Sequence, residues 1–347
     1  MSTVLVSNPA ALLAALKSAV SGGVILLAPG PWPAVAIYDY HAPAGGVVSI
    51  QSQNPLNPAA LPALTINISS GLSFSNLTFA TTAANPVSNT RAPTPFVIYS
   101  SQRITLSRLS VHGTLDNNPQ DDVNCLRFQG SDQVSVLNSE FQQCYNAITE
   151  LNNTHVTISG NSIHDIRNDG IDNGGSSDVT ISGNHFTNFH PYGAVGSTGD
   201  HADAIQFWTT NTAAPAHDIA ITGNSFVRGT GHWIQGIFVT DGLGLLYQRL
   251  TITGNVILGG EYNGIAVGGC SGATIGGNTV QPYLDMPSWI LVDQCLGAGV
   301  TDNRAGAYYF TNDVGLSQTS NAVLASIAAP GQSPGGAARP VAAASRP

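Results

Sequence analysis

An all-β solenoid of the parallel β-helix type is the fold this sequence predicts, and three observations carry it. One short phrase recurs: VSVLNSEF (134–141), VTISGNSI (156–163), VTISGNHF (179–186), IAITGNSF (219–226), LTITGNVI (250–257) and ATIGGNTV (273–280). Alternating apolar and polar residues running into Gly-Asn describe a half-buried strand that ends in a tight turn. The spacing is regular, with 23 residues from Asn161 to Asn184 and again from Asn255 to Asn278, one coil per repeat. No helical period runs through the repeats, and 38 glycines with 9% charged residues suit stacked turns over buried strands.

Residues 1–30 read as a cap. VLV is followed by an amphipathic helix over Pro9–Val20, with Ser7 or Asn8 as N-cap and Pro9 in the first turn, and then by VILLA. Such a helix covers the open end of a solenoid, whose first coil would otherwise expose its core. Residues 31–312 form the β-helix domain, irregular at 64–79 and 96–111 and regular afterwards. The pattern stops after Phe310, and residues 313–347 read as a flexible Ala/Pro/Gly-rich tail.

Composition narrows the function. One lysine (Lys17), ten arginines and a formal charge of −9 disfavour a nucleic-acid partner, which needs a basic face. An anionic glycan still fits through local arginines or a bridging cation. No run of 18 apolar residues exists, so no membrane span is expected. The N-terminus lacks a basic start and a cleavage site, so no Sec signal is visible. Cys270 and Cys295 each follow a column isoleucine (Ile265, Ile290) by five residues and are expected to stack on adjacent coils, as an apolar ladder or a disulfide.

Each repeat carries a second strand, and aligning these gives an inward column of Leu126, Ile148, Ile171, Ile205, Ile237, Ile265 and Ile290. The next residues point outward: Arg127, Thr149, Asp172, Gln206, Phe238, Ala266 and Leu291. Asn146, Asp169, Asp203, Gln235 and Asn263 stand two positions before the column, at the turn entering the strand. The interruptions are informative. Asn184 to Ile205 takes 21 positions where Asn161 to Ile171 takes 10, and Ile205 to Asn224 takes 19 where 13 is standard. Insertions in solenoids map to loops on one face, often the working face. The site is therefore expected over coils 169–262.

Three polar clusters converge there. HDIRNDGID supplies Arg167, Asp169 and Asp172. HPYGAVGSTGDHADAIQFW supplies His190, Tyr192, Asp200, His201, Asp203, Gln206 and Trp208. GTGHWIQGIFVTDG supplies Trp233 and Asp241. Aromatic faces stack on pyranose rings, amides and carboxylates bind hydroxyls, and arginine pairs bidentately with uronate carboxylates. The catalytic candidates are Asp172, His201, Asp203, Arg167 and Tyr192. Arg127, Gln206, Trp208, Trp233, Phe238, Asp241 and His190 are candidates for substrate binding. Asp169, Asp172, Asp200 and Asp203 are candidate oxygen ligands for a hard cation such as Ca²⁺. Glu150 and Asn173 fall on the inward parity of adjacent coils and are expected to be a hydrogen-bonded buried pair.

At GDHADAIQFWTTNTAAPAHDIAITGNSF (199–226) the chain resembles bacterial right-handed parallel β-helix proteins, namely the catalytic modules of mannuronan C5-epimerases and related polysaccharide lyases. The usual form is His-Pro-Asp-x-Ile-Gln-Phe-Trp; here Ala202 replaces the proline. The N-terminal LLAALKSAVSGGVILLAPGPW also looks like that group's cap, and the resemblance spans roughly residues 4–305. It implies action outside the cell or at its surface on an acidic polysaccharide, often after type I export and frequently with calcium. The epimerases use a Tyr-Gly-Phe-Asp-Pro-His strand; here Asp172 matches the aspartate, while Asp169 stands at the tyrosine and Gly174 at the histidine. His201 or Tyr192 would have to supply the missing roles.

The expected function is thus a β-elimination lyase or C5-epimerase on a uronic-acid glycan, acting as a monomer. A glycoside hydrolase with paired carboxylates is the alternative. A non-catalytic glycan-binding solenoid is the third reading.

Overall fold

The computed structural model describes residues 2–82, 93–192, 199–209 and 212–330. Three parallel sheets run the length of the molecule, and each coil contributes one strand to each sheet in turn. The first sheet runs from Thr3–Val6 to Ser317–Thr319, the second from Gly30–Pro31 to Ala322–Val323, and the third from Val35–Tyr38 to Tyr308–Thr311. The chain therefore forms the expected β-helix, with the column residues in register: Leu126 pairs Ile148, Ile148 pairs Ile171, Ile171 pairs Ile205, and Ile205 pairs Ile237.

Every one of those column residues is buried, as are Val179 and Ile181 of the first sheet and Phe186 of the second. Alternation places the next side chain outside, so each coil closes on a thin apolar core. The recurrent Gly-Asn has two separate jobs. Gly183 holds φ +61°, a left-handed turn that glycine adopts without strain. The asparagines form a buried ladder along the axis. Asn184 Nδ2 donates to Asn224 Oδ1 and to the backbone oxygen of Ile158, and Asn224 repeats this with Asn255 and Ile181. Each turn thus satisfies its neighbour's buried amide.

Helix Pro9–Ser18 is capped by Asn8, whose Oδ1 accepts from Ala11 N at 2.9 Å, and it buries Leu12 and Leu16. It ends two residues short of the expected Val20. No helix among the described residues is long and apolar enough to cross a membrane.

Two expectations change. Strands Ser317–Thr319 and Ala322–Val323 continue the first and second sheets, so the β-helix passes residue 312 and the segment to Val323 is no tail. Residues 331–347 lie outside the described residues. Cys270 and Cys295 do stack on adjacent coils, and they are joined as a disulfide, as are Cys125 and Cys144.

Candidate functional site

The outer face of the third sheet presents Arg127, Thr149, Asp172, Gln206 and Phe238 on successive coils, none of them fully buried. Asp172 is the centre of this row. Its Oδ1 accepts a short hydrogen bond from the indole N–H of Trp208. Burial pushes its pKa up to about 6 and the Asp203 charge adds to this, while Trp208 and Arg127 pull it back. The Trp208 ring lies over Gly174, where an added Cβ would stand 2.9 Å from the indole. Glycine at 174 thus gives the floor to an indole that holds Asp172.

Beneath this row, at the turn entering the sheet, run the buried acids. Asp169 Oδ1 accepts from the Asp203 amide at 3.0 Å, and its Oδ2 accepts from Asn168 Nδ2 at 2.7 Å. Burial holds Asp169 well above the usual carboxylate range, and Asp203 and Asp172 add to the shift. Asp203 is fully buried. Burial raises it too, with His201 in opposition, and neither carboxylate oxygen has a well-formed hydrogen bond. His201 lies above it with Nδ1 3.3 Å from Asp203 Oδ2, a distance of charge contact more than of aligned bonding. The Asp203 interaction raises the His201 pKa. Its ring meets Phe238 edge-on at 5.9 Å, and its Nε2 lies 2.6 Å from Gln235 Nε2.

Glu261 completes the group and was not among the sequence candidates. It is buried on the loop leading to Asn263–Gly268, and burial raises it to about 7, with His201 and Asp203 acting through space in opposite senses. A signal existed, for it is one of three glutamates in the chain and directly precedes a column turn. Asp122 was missed as well. It sits in a long segment between His112 and Leu126 and is raised to about 7 by burial and then by Asp121 and Asp116.

Other candidates take different roles. Arg167 is 1% exposed and bound to Asp200, Nε to Oδ2 at 2.7 Å and Nη2 to Oδ1 at 3.2 Å. Its Nη1 donates to Gln120 O at 2.9 Å, and its guanidinium lies 4.9 Å from the Tyr145 ring centre and 5.4 Å from that of Tyr192. Asp200 also accepts from Tyr192 N, while its own amide donates to Tyr192 O. The Arg167 group therefore staples the inserted loop shut at its base. Residues 193–198 of that loop lie outside the described residues. Three of its five N–H groups are committed in this way and the side chain is 1% exposed, so Arg167 is not open to a substrate carboxylate.

Asp241 is likewise an organiser: its oxygens accept from Thr209 Oγ1 and from the amides of Leu243 and Leu246. Burial alone would raise it, but those amides hold it low. His190 turns toward Asp165 at 3.3 Å, in a network with His164 and Glu140 below the second sheet's turn. Trp233 is half-buried on the turn before Gln235. Glu150 and Asn173 are buried register partners, yet Glu150 bonds Asn153 and Ser176 while Asn173 donates to Gln206 O.

The four aspartates proposed for a cation do not converge. Asp200 is spent on Arg167, Asp169 on the Asn168 side chain and the Asp203 amide, and Asp172 on Trp208. Among the described residues, the group of three such side chains whose ligand atoms lie within 4.8 Å of one another is Asp178, His217 and Asp218, on the first sheet. There Arg249 already pairs with Asp218 at 2.6 Å.

Residues 94–280 match the right-handed β-helix region family, and the chain belongs to it. No curated protein matches by sequence. The fold is similar to that of a Family 28 exopolygalacturonase from Yersinia enterocolitica (TM-score 0.55, 10% identity, covering 93% of this chain and 78% of that one). It is also similar to the A-module of an Azotobacter vinelandii mannuronan C-5 epimerase (TM-score 0.57, 12% identity, covering 93% and 94%) and to the Dettilon tailspike protein (TM-score 0.60, 14% identity, covering 87% and 64%). At these identities the likeness is one of fold.

Proposed function

We propose that this member of the right-handed β-helix family is a glycan-cleaving enzyme that hydrolyses an acidic polysaccharide laid along the third sheet. One observation carries the reading: around Asp172, raised to about 6, stand further carboxylates displaced toward neutrality, the buried Asp169 on the same coil and Asp203 on the next. Glycosidic hydrolysis needs one carboxyl protonated and another ionised at the same pH, and environments that push pKa values apart provide this. Asp172 acts as the ionised partner, because Trp208 and Arg127 favour its charged form. The proton is held among the raised acids beside it, Asp169 and Asp203. Gln206 and Phe238 flank Asp172 as binding surface.

A second reading, β-elimination or C5-epimerisation of a uronate, is favoured by Arg127. Its Nη2 donates to Gln129 at 2.8 Å and its buried Nε lacks a partner, so it can receive an anionic sugar two coils from Asp172. In that reading His201 is the base. Among the described residues near Asp172, neutralisation of the substrate carboxylate rests on Arg127, since Arg167 is buried against Asp200 and Lys17 lies in the capping helix. The aspartates do not form a calcium cage, so no step runs through the ion. Two disulfides fit an oxidising compartment and thus a secreted or surface location.

The test is a panel of acidic exopolysaccharides incubated in ¹⁸O-water, with calcium or with chelator. Hydrolysis gives new reducing ends carrying ¹⁸O and no unsaturated uronate. Unsaturated ends establish elimination instead, deuterium entering C5 in a parallel ²H₂O incubation without cleavage establishes epimerisation, and binding with none of these leaves a glycan-binding solenoid. Asp172→Asn is expected to lower kcat by about 10²–10⁴-fold, the usual worth of a proton-transfer group.

A further inference from the structure

Four side chains on successive coils connect Trp289 to His201. Trp289 Nε1 lies 3.1 Å from Asn263 Oδ1, Asn263 Nδ2 lies 2.7 Å from Gln235 Oε1, and Gln235 Nε2 lies 2.6 Å from His201 Nε2. His201 Nδ1 faces Asp203 Oδ2 at 3.3 Å. The two amides are buried, so their donors and acceptors must find partners within the chain.

The direction of this chain follows from chemistry and needs no assignment of amide oxygen and nitrogen. An indole N–H can only donate, so Asn263 must turn its oxygen to Trp289. Its nitrogen then faces Gln235, which must accept through oxygen and so presents its own N–H₂ to His201. The imidazole Nε2 must therefore accept, and it carries no proton. We infer that Trp289, Asn263 and Gln235 are positioning residues that hold His201 as the neutral Nδ1–H tautomer, with that N–H on the side facing Asp203. The acids near His201 favour a charged ring, and the Gln235 amide facing Nε2 is what opposes a proton there. Asp203, two residues further on, and Glu261, on the loop two coils along, are the titratable neighbours, and the printed contact of Asp203 is with Nδ1. His201 is thereby kept as a proton acceptor at Nε2, masked by an amide that substrate must displace, while Asp203 keeps a donor that favours its ionised form.

The role in turnover rests on the second reading, in which His201 is the base, but the tautomer does not. In protein labelled with ¹⁵N-histidine, two-bond proton–nitrogen correlations at neutral pH are expected to show His201 with a protonated Nδ1 and an unprotonated Nε2, assigned by the loss of its signals in His201→Gln. Trp289→Phe keeps the ring and removes only the directing donor. It should raise the Nε2–H tautomer from undetectable to at least about a tenth of the population. Asn263→Asp, which accepts from Trp289 but gives Gln235 no donor, should do the same if Trp289→Phe fails to fold. An Nε2–H signal in the parent protein, or a parent-like signal in a folded directing-residue variant, overturns the inference. If the parent shows the Nδ1–H tautomer, the variants shift it and no acidic glycan is cleaved, the chain stands and the functional reading falls. If glycan is cleaved by elimination, Trp289→Phe should lower kcat about 3–10-fold with KM unchanged and displace the pH profile, which a merely structural role would not do.

Discussion

Trp208 shows how one residue sets the chemistry of another. Its indole N–H donates to Asp172 Oδ1 while its ring rests on Gly174. A donor to a carboxylate favours the charged form, so the bond opposes the burial that raises Asp172 to about 6. Trp208→Phe retains the ring and deletes the donor. The Asp172 pKa should then rise further, and the acid limb of kcat/KM should move to higher pH, with activity at pH 5 falling more than activity at pH 8. An unchanged acid limb would mean that Asp172 is not the ionised group of the reaction. Gly174→Ala offers a steric counterpart, because the new methyl would meet both Trp208 and Leu151 at 2.9 Å.

At the scale of the element, the inserted loop is held by the Arg167–Asp200 pair. Both side chains are nearly inaccessible, at 1% and 6% exposure, and both oxygens of Asp200 are engaged by Arg167. Breaking a buried pair from one side leaves an uncompensated charge and typically costs about 3–5 kcal/mol. Asp200→Ala should therefore lower the denaturation midpoint clearly. The paired change Arg167→Met with Asp200→Leu should cost much less, since no charge is stranded. Equal losses for the single and the paired change in a urea titration would show that the ion pair is not what closes the loop. The sequence placed Arg167 and Asp200 in the right region because both flank the insertion. It could not show that they bond each other, since the partner lies 33 residues away across a coil boundary. The same limit applies to the chain from Trp289 to His201. By contrast, the inward column and the Gly-Asn turns were legible, because the 23-residue period repeats one local environment in every coil. Glu261 escaped notice for the opposite reason: it belongs to no column and gains its character only from burial beside Asp203 and His201.

Across the whole molecule, the acids raised by burial outnumber those held low, and this sets how stability depends on pH. Glu150 is fully buried and rises from 4.5 to about 7, Glu261 and Asp122 reach about 7, and Asp172 reaches about 6, with Asp169 and Asp203 also raised. A group whose folded pKa exceeds its unfolded value binds more protons when folded. Its contribution is full below the unfolded pKa and is lost as pH rises through the folded one. These groups together therefore make the fold more stable at pH 5 than at pH 7.5. The opposing groups, Asp132, Asp218 and Asp241, are held below 3.8, so their contributions are lost only as pH falls below that value. Stability should thus peak near pH 4–5, lower than the pH 5–8 common for globular proteins. Melting curves between pH 4 and 8 check this, and Glu150→Gln isolates one contribution. Its neutral amide keeps acceptor capacity toward Asn153 and Ser176 and cannot ionise, so the decline in Tm from pH 5 to 7.5 should become shallower by several degrees. A parent Tm that rises with pH over this window would mean that the buried acids are ionised in the folded protein, which would require a bound cation beside Asp169 and Asp203.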